Sequence, residues 1–259
     1  MMILQDRVVL VTGAGRGIGR GIARAVAEEG GTVVATDVDA ASAADTAREV
    51  KTSGGKAISV RVDVTREPEV LAGIERAVGT FGRLDGWVNN AGVLRMGPEL
   101  ESKSEDWQLQ LRVNVEAVAQ CSRLFAQHRI ALGAGGAIVN VASNAGKVGY
   151  PNMAAYNATK AAVISLTRSQ AAEWASERIN VNAVCPGGVD TPMLEEVAEW
   201  VGSRIGTTPQ ELHATMVPGQ LGRHIEPLEV GRVVAFLLSD RALIIRGQAI
   251  NVDGGDTPY

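Results

Sequence analysis

A tyrosine and a lysine four residues apart, with a serine upstream, could move a proton on or off an alcohol oxygen. Tyr156 and Lys160 lie in the run YNATK, and Ser143 ends an apolar stretch before them. Four residues is just over one helical turn, so Tyr156 and Lys160 share a helix face. A phenol titrates near ~10, and a neighbouring ammonium favours its anion, which brings the pKa toward the working range. Ser143 adds a hydroxyl that could hold the substrate oxygen. The trio predicts acid–base chemistry, although such a Tyr–Lys pair also occurs on ordinary exposed helices.

A glycine-rich turn near the start of the chain predicts a dinucleotide site. Residues 7–11 form a short apolar strand pattern, and TGAGRGIG at 12–19 follows at once, before a helical pattern. Gly13, Gly17 and Gly19 allow the backbone to approach a pyrophosphate, which would lie on the free N–H groups of the helix. Many glycine-rich turns bind nothing, so the position between a strand and a helix supports this interpretation.

These segments together resemble the short-chain dehydrogenase/reductase family along essentially the whole chain. TGAGRGIG at 12–19 is similar to the family's dinucleotide loop, and NNAG at 89–92 is similar to its fourth-strand motif. Asp63 and Val64 resemble its adenine-contact pair, and the segment 186–191 resembles the one that holds the nicotinamide carboxamide. The motifs occur in the family's order and spacing.

The resemblance implies a role for each matching residue. Asn114 would complete a catalytic tetrad with Ser143, Tyr156 and Lys160, at a helix distortion that links Lys160 to solvent through a water. Tyr156 would accept the alcohol proton while hydride passes to the nicotinamide, and Lys160 would anchor the nicotinamide ribose. The residues expected to bind the cofactor are Gly13, Arg16, Gly17, Ile18, Gly19, Asp37, Asp63, Val64, Asn90, Ala91, Gly92, Tyr156, Lys160, Pro186, Gly187, Val189 and Thr191.

Charge at the end of the second strand pattern favours NAD as the cofactor. Asp37 ends TVVATD, where a carboxylate can accept hydrogen bonds from the adenosine ribose hydroxyls. The same carboxylate would repel a 2′-phosphate. Arg16 is the competing signal, because family members that prefer NADP often carry a basic residue in the loop. Asp39 is the expected N-cap of the following helix, which leaves Asp37 for the ribose.

The substrate is less closely defined by the sequence. A lid is expected at about 190–220, and its length resembles the branch of the family that oxidises polyols and vicinal diols. Its mixture of acidic and apolar residues suits a small neutral hydroxylated molecule better than an acidic acyl-carrier thioester. Two alternatives stay open, an NADPH-dependent 3-oxoacyl reductase and a non-catalytic NAD-binding regulatory protein. The expected substrate contacts are Ser143, Asn144, Tyr150, Asn152 and Tyr156.

Composition limits the class of protein further. A chain of 259 residues suits one domain, residues 1–259, and no apolar run is long enough to span a bilayer. A net charge of −4 and no basic block argue against nucleic acid. Cys121 and Cys185 are expected to be buried thiols, consistent with the cytoplasm. The three histidines lack metal-ligand spacing, so no metal is expected.

The elements that must position these residues alternate between strand and helix patterns. The strand patterns are continuous apolar runs, as in parallel strands covered on both faces. They predict an α/β fold, a single Rossmann-type doubly wound parallel sheet, and the resemblance implies seven strands and a homotetramer. The predicted strands span 7–12, 32–36, 57–62, 84–89, 136–142, 179–185 and 247–252.

Overall fold

The computed structural model describes residues 2–257 and 259. All seven predicted strands are present, and each strand bound differs from its predicted position by at most two residues. The strands are β1 Val8–Val11, β2 Thr32–Asp37, β3 Lys56–Arg61, β4 Gly86–Asn89, β5 Gly136–Val141, β6 Ile179–Pro186 and β7 Ala249–Val252.

Helices connect the strands and cover both faces of the sheet. A π-helical turn, Arg112–Glu116, joins the fourth and fifth helices into one long rod. The helices are α1 Gly17–Glu28, α2 Ala40–Thr52, α3 Glu67–Phe81, α4 Ser104–Leu111, α5 Ala117–Ala131, α6 Ala154–Glu173, α7 Pro192–Ile205, α8 Pro209–Thr215 and α9 Pro227–Leu238.

The sheet is parallel throughout, with the strand order β3-β2-β1-β4-β5-β6-β7. The chain runs outward from β1 to β3 and then returns to the other side of β1 to form β4. The strand order therefore reverses between β1 and β4, which opens a crevice at the carboxyl ends of these strands. The predicted doubly wound sheet of seven strands is confirmed.

Alternate side chains of β1 enter two separate cores. Val9 and Val11 pack into the cluster that also contains residues of α1 and α9. Val8 and Leu10 pack on the other face, into the cluster that contains residues of α3 and α5. Because both faces of the strand are buried, every position favours an apolar residue, which explains the continuous apolar run in the sequence.

Several local predictions are also confirmed. The Asp39 carboxylate accepts hydrogen bonds from the backbone N–H groups of Ala41 and Ser42, and so caps α2. Both Cys121 and Cys185 are buried and free. Within the described residues, none of the helices combines the length and apolar character needed to cross a bilayer.

Candidate active site

The loop from β1 to α1 has the shape that a pyrophosphate requires. Gly13 has a φ of 60°, a conformation that favours glycine. A Cβ on Gly19 would lie 2.1 Å from the carbonyl oxygen of Gly13, so only glycine permits this close turn. Among the described residues no side chain caps the N-terminus of α1, and its first N–H groups stay available for an anion. The residues of this loop therefore fit the diphosphate of a dinucleotide.

A side chain from the neighbouring strand holds the loop in place. The Asn90 amide donates hydrogen bonds to the carbonyl oxygens of Thr12, at 2.9 Å, and of Gly13, at 3.0 Å. In return, the Thr12 hydroxyl accepts from the backbone N–H groups of Asn90 and Ala91. The adjacent Asn89 side chain donates to Asn140 of β5 and accepts from the Trp87 indole. The two asparagines thus tie the ends of β1, β4 and β5 together.

Asp37 lies at the rim of this loop with a fixed carboxylate. It accepts hydrogen bonds from the backbone N–H of Gly15 at 2.9 Å and from that of Asp39 at 3.1 Å. Arg20 could have neutralised it, but Arg20 donates instead to the Gly15 carbonyl and to Glu49. The carboxylate therefore faces the cavity as a fixed negative charge.

The Arg16 side chain lies beside α7. Its guanidinium lies 3.8 Å from the Glu196 carboxylate, and both side chains are more than half exposed. An exposed ion pair contributes little to stability, about 0–1 kcal/mol. It does connect the glycine loop to the helix that follows β6.

One cavity of about 780 Å³ runs along the carboxyl ends of the strands. This volume lies in the range of known cofactor and ligand pockets. Most of the predicted site residues line it: Gly13, Arg16, Gly17, Ile18, Asp37, Asp63, Val64, Asn90, Ala91, Gly92, Ser143, Asn144, Tyr150, Tyr156, Lys160, Pro186, Gly187, Val189 and Thr191.

The predicted acid–base trio converges on one wall of the cavity. Ser143 follows β5 in an extended conformation, and its oxygen accepts a hydrogen bond from the backbone N–H of Ala145. Tyr156 and Lys160 lie on α6, with the Lys160 ammonium 5.5 Å from the centre of the Tyr156 ring. Lys160 is buried and donates to the Val141 carbonyl at 2.8 Å.

The pKa of Tyr156 moves in the opposite direction from the sequence expectation. Burial raises it to about 12, although the neighbouring Ser143 hydroxyl favours the phenolate. Burial has the opposite effect on Lys160, because its charged form is the protonated one, and lowers its pKa to about 8. Lys160 stabilises the phenolate less than expected for two reasons. Its ammonium donates to the Val141 carbonyl, and burial disfavours the charged form of the amine. In the protein alone, Tyr156 is therefore a protonated phenol at neutral pH.

Asn114 lies behind the trio, in the π-helical turn between α4 and α5. It is buried, and its amide is paired with both backbone groups of Val93 at 2.8 and 2.9 Å. It also donates to the Thr159 hydroxyl on α6. π-helical turns are frequent at functional sites, and this one lies where the resemblance implied a helix distortion.

Three predicted site residues lie outside the cavity lining. Gly19 is buried beneath the glycine loop, and Asn114 is buried behind Lys160. Asn152 lines a separate, smaller cavity of about 230 Å³ beside Trp200 and Arg204. Its backbone has a φ of 62°, and its carbonyl accepts a hydrogen bond from the N–H of Gly97.

The predicted carboxamide segment, 186–191, crosses from β6 to α7. Thr191 caps α7, because its hydroxyl accepts from the backbone N–H of Leu194. Its methyl group lies close to the glycine loop, 3.3 Å from where a Cβ on Gly17 would be. The segment therefore closes the cavity against the same loop that fits the diphosphate.

Sequence motifs do not reveal every polar residue near the site. Asp256, close to the end of the chain, lines the cavity. His213 and His224 stack with ring centres 4.2 Å apart, and His213 lies 3.5 Å from the Asp190 carboxylate. The position of Asp256 and the contact between the two histidines could not be predicted from the sequence, because the residues involved lie far apart along the chain and share no short motif. In the described part of the chain no three His, Cys, Asp or Glu side chains are grouped to hold a metal.

A doubly wound sheet, a glycine loop shaped for a diphosphate and a buried Ser–Tyr–Lys group define a dinucleotide-binding oxidoreductase. Comparisons with known proteins agree. A family model described as Enoyl-(Acyl carrier protein) reductase matches residues 13–257. Cis-4-hydroxycyclohexanecarboxylate dehydrogenase from Sinomonas cyclohexanicum is 42% identical over 254 residues, 97% of each chain. Cyclopentanol dehydrogenase from a Comamonas strain is 36% identical over 259 residues, 98% of each chain.

A solved structure shows the same architecture. A short-chain type dehydrogenase/reductase from Mycobacterium marinum superposes with a TM-score of 0.90 at 31% identity, covering 100% of this chain and 98% of the other. The chain belongs to the short-chain dehydrogenase/reductase family, and it is an enzyme that acts on CH–OH groups. Members of this family bind NAD(H) or NADP(H).

Proposed function

We propose that this enzyme uses NAD to interconvert the secondary alcohol of a small polyol or vicinal diol with its ketone. The observation that supports this most directly is the convergence of Ser143, Tyr156 and Lys160 on one wall of the cavity at the carboxyl ends of the strands. A hydroxyl donor, a titratable phenol and a buried ammonium in one pocket are the groups that an alcohol–ketone interconversion requires.

Tyr156 is the group that exchanges a proton with the substrate oxygen. When bound, the oxidised nicotinamide supplies a hydride acceptor and a positive charge near the phenol. In ketone reduction, Tyr156 gives its proton to the oxygen, and its raised pKa suits this protonated starting form. In alcohol oxidation, Tyr156 must first lose that proton. Ser143 holds the substrate oxygen in both directions.

Lys160 and Asn114 replace or remove the proton on Tyr156. Burial brings the pKa of Lys160 to about 8, so the amine can exchange a proton near neutral pH. A Cβ on Gly92 would lie 3.4 Å from the Asn114 amide oxygen and 3.7 Å from the Lys160 nitrogen. Gly92 therefore leaves room beside both groups for a water that can carry the proton outward. Lys160 also binds the nicotinamide ribose in this proposal.

NAD rather than NADP follows from the charges at the rim of the glycine loop. The Asp37 carboxylate is held by two backbone N–H groups, so it cannot easily move away from a 2′-phosphate. Arg16, the one loop cation that could offset it, lies beside Glu196. Like charges in close contact disfavour the phosphorylated cofactor. Gly13, Gly17, Ile18 and the segment 186–191 hold the rest of the dinucleotide.

The lining of the cavity beyond Ser143 favours a small neutral substrate. Its wall is mostly apolar, with Leu94, Met153, Met193 and Met216, and two relatives are named for the neutral cyclic alcohols cyclopentanol and cyclohexanol. The helices α7 and α8, within 190–220, form the lid over this part.

The two buried free thiols suit a reducing compartment, so a cytoplasmic location is part of the proposal.

The competing function is reduction of a 3-oxoacyl thioester with NADPH, and it is supported by a relative, 36% identical over 254 residues, that is named 3-oxoacyl-[acyl-carrier-protein] reductase. The lid disfavours it, because Glu195, Glu196 and Glu199 would repel an acidic carrier. Steady-state kinetics decide between the two functions. We expect the highest kcat/KM with a diol and NAD; a higher value for acetoacetyl thioester with NADPH than for any alcohol would overturn the proposal.

A further inference from the structure

Two polar side chains, those of Tyr150 and Asp256, line the cavity close enough for the Asp256 charge to act on the Tyr150 phenol. Tyr150 precedes α6, and Asp256 lies near the end of the chain, so the fold brings together residues that are far apart in sequence. Both line the cavity and both are partly open to solvent. Met216 and Val217 are apolar residues that line the same cavity.

The Tyr150 phenol presents a hydrogen-bond donor to the cavity. Its oxygen accepts a hydrogen bond from the buried Asn144 amide at 2.8 Å, and its backbone carbonyl accepts from Asn157. Since the oxygen already has a donor, the phenol proton is the group left for a ligand. Burial raises the pKa of Tyr150, and the nearby Asp256 carboxylate raises it further, so the proton stays on at neutral pH.

The Asp256 carboxylate presents an acceptor. One of its oxygens, Oδ1, accepts from the backbone N–H of Gly219 at 3.1 Å, which fixes the side chain against the segment after α8. Gln220 donates to the carbonyl of the adjacent Gly255 and secures the same loop. The other oxygen, Oδ2, has no hydrogen-bond partner among residues 2–257 and 259, so it is free to accept from a ligand.

We infer that Tyr150 and Asp256 together bind a second hydroxyl of the substrate, apart from the one that reacts at Ser143 and Tyr156. This inference rests on the proposed function and names its substrate class: neutral diols and hydroxyketones. Asp256 is then a specificity-determining residue that selects them over both simple alcohols and hydroxycarboxylates.

A hydroxyl matches both groups. It can accept from the Tyr150 proton and donate to the Asp256 carboxylate at the same time. A bare methylene would leave both polar groups without a partner, and a substrate carboxylate would meet a like charge. Sites built to hydrogen-bond a hydroxyl reject analogues that lack it far more strongly than apolar pockets reject a change of size.

The test uses ring alcohols of one size. The panel is cyclohexanol, cyclohexane-1,2-diol, cyclohexane-1,4-diol and 4-hydroxycyclohexanecarboxylate, each oxidised with NAD. In the wild type, we expect kcat/KM for the better diol to exceed that for cyclohexanol by roughly tenfold, a discrimination moderated by the partial exposure of both side chains. The carboxylate should be the poorest of the four.

Two variants and a matched control report on the two side chains separately. Asp256→Asn keeps an oxygen for the Gly219 N–H but removes the charge, and Tyr150→Phe removes only the donor. In each variant, we expect the diol-to-cyclohexanol ratio to fall toward one. Asp256→Asn should also raise kcat/KM for the carboxylate relative to the diol by roughly tenfold. Asp45→Asn, an exposed carboxylate change on α2, should leave both ratios as they are in the wild type.

The possible failures are distinguishable. If the wild type oxidises cyclohexanol but does not prefer a diol, or if neither variant changes the ratio, the inference is wrong and the proposed function stands. If no ring alcohol or open-chain diol is oxidised and acetoacetyl thioester is reduced, the proposed function and the inference fall together. A variant that fails to fold is replaced by the other, because either one alone must lower the ratio.

Discussion

The Lys160 ammonium should reduce the stability of this protein, and replacing it with methionine measures by how much. Lys160 is only 5% exposed, and its nitrogen holds one hydrogen bond, to Val141. Burial lowers its pKa from 10.5 to about 8. At about 1.36 kcal/mol per pH unit, this difference corresponds to about 3 kcal/mol of folded-state free energy, an order-of-magnitude figure.

The direction in which stability changes with pH follows from whether the folded or the unfolded chain carries the proton on Lys160. Below about pH 8, the folded and unfolded chains both carry the proton, so the folded state bears the full cost of the buried charge. Between about pH 8 and the unfolded value near 10.5, only the unfolded chain keeps the proton, so the free energy of unfolding rises with pH. Lys160→Met has no such titration.

Urea unfolding of the cofactor-free protein, at one fixed protein concentration, tests this. We expect the stability advantage of Lys160→Met over the wild type to shrink by about 2 kcal/mol between about pH 7 and about pH 10. Loss of the hydrogen bond to Val141 changes the free energy of unfolding of the variant by the same amount at every pH. It therefore does not affect how the difference between variant and wild type changes with pH. Lys51→Met, an exposed change in α2, is the control. A Lys160→Met difference that is the same at both pH values would refute the reasoning.

Three further predictions concern the proton transfer, the choice of cofactor and the assembly. Tyr156→Phe should lower kcat by roughly 10²–10⁴-fold while NAD affinity stays close to wild type, and a variant that retains a tenth of the rate would exclude Tyr156 as the proton donor. Asp37→Ala should shift the ratio of kcat/KM values for NAD and NADP toward NADP, whereas Asp39→Ala should change only stability, by about 1 kcal/mol; a wild type that already prefers NADP would contradict the charge argument. Light scattering should show a tetramer, because small residues such as Ala158 on α6 permit close packing between subunits, and a stable monomer at micromolar concentration would disprove the assembly.

Local features of the site could be predicted from the sequence alone. The strands are predictable because burial on both faces demands continuous apolar runs, as in β1 and β6. The glycine loop is predictable because the close turn at Gly13 and Gly19 tolerates no other residue. The Tyr156–Lys160 pair shares a helix face by its spacing, and Asp39 caps α2 by its position. Each of these depends on residues within about one turn of helix or one strand.

Interactions between distant elements depended on the tertiary structure. The pairing of Arg16 with Glu196, the contact of His213 with His224 and the approach of Asp256 to Tyr150 all join segments that no local pattern relates. The same holds for the separate cavity that contains Asn152.

The pKa of Tyr156 shows the difference most clearly. Its spacing from Lys160 is fixed by the sequence, and that spacing predicted a lowered pKa. The structure reverses the direction, because the packing around the phenol removes water from it, while the ammonium bonds to Val141 on another element. Helix periodicity and turn geometry are properties of short segments, so the sequence determines them. Desolvation and charge pairing depend on which segments meet in space, and only the folded sheet decides that.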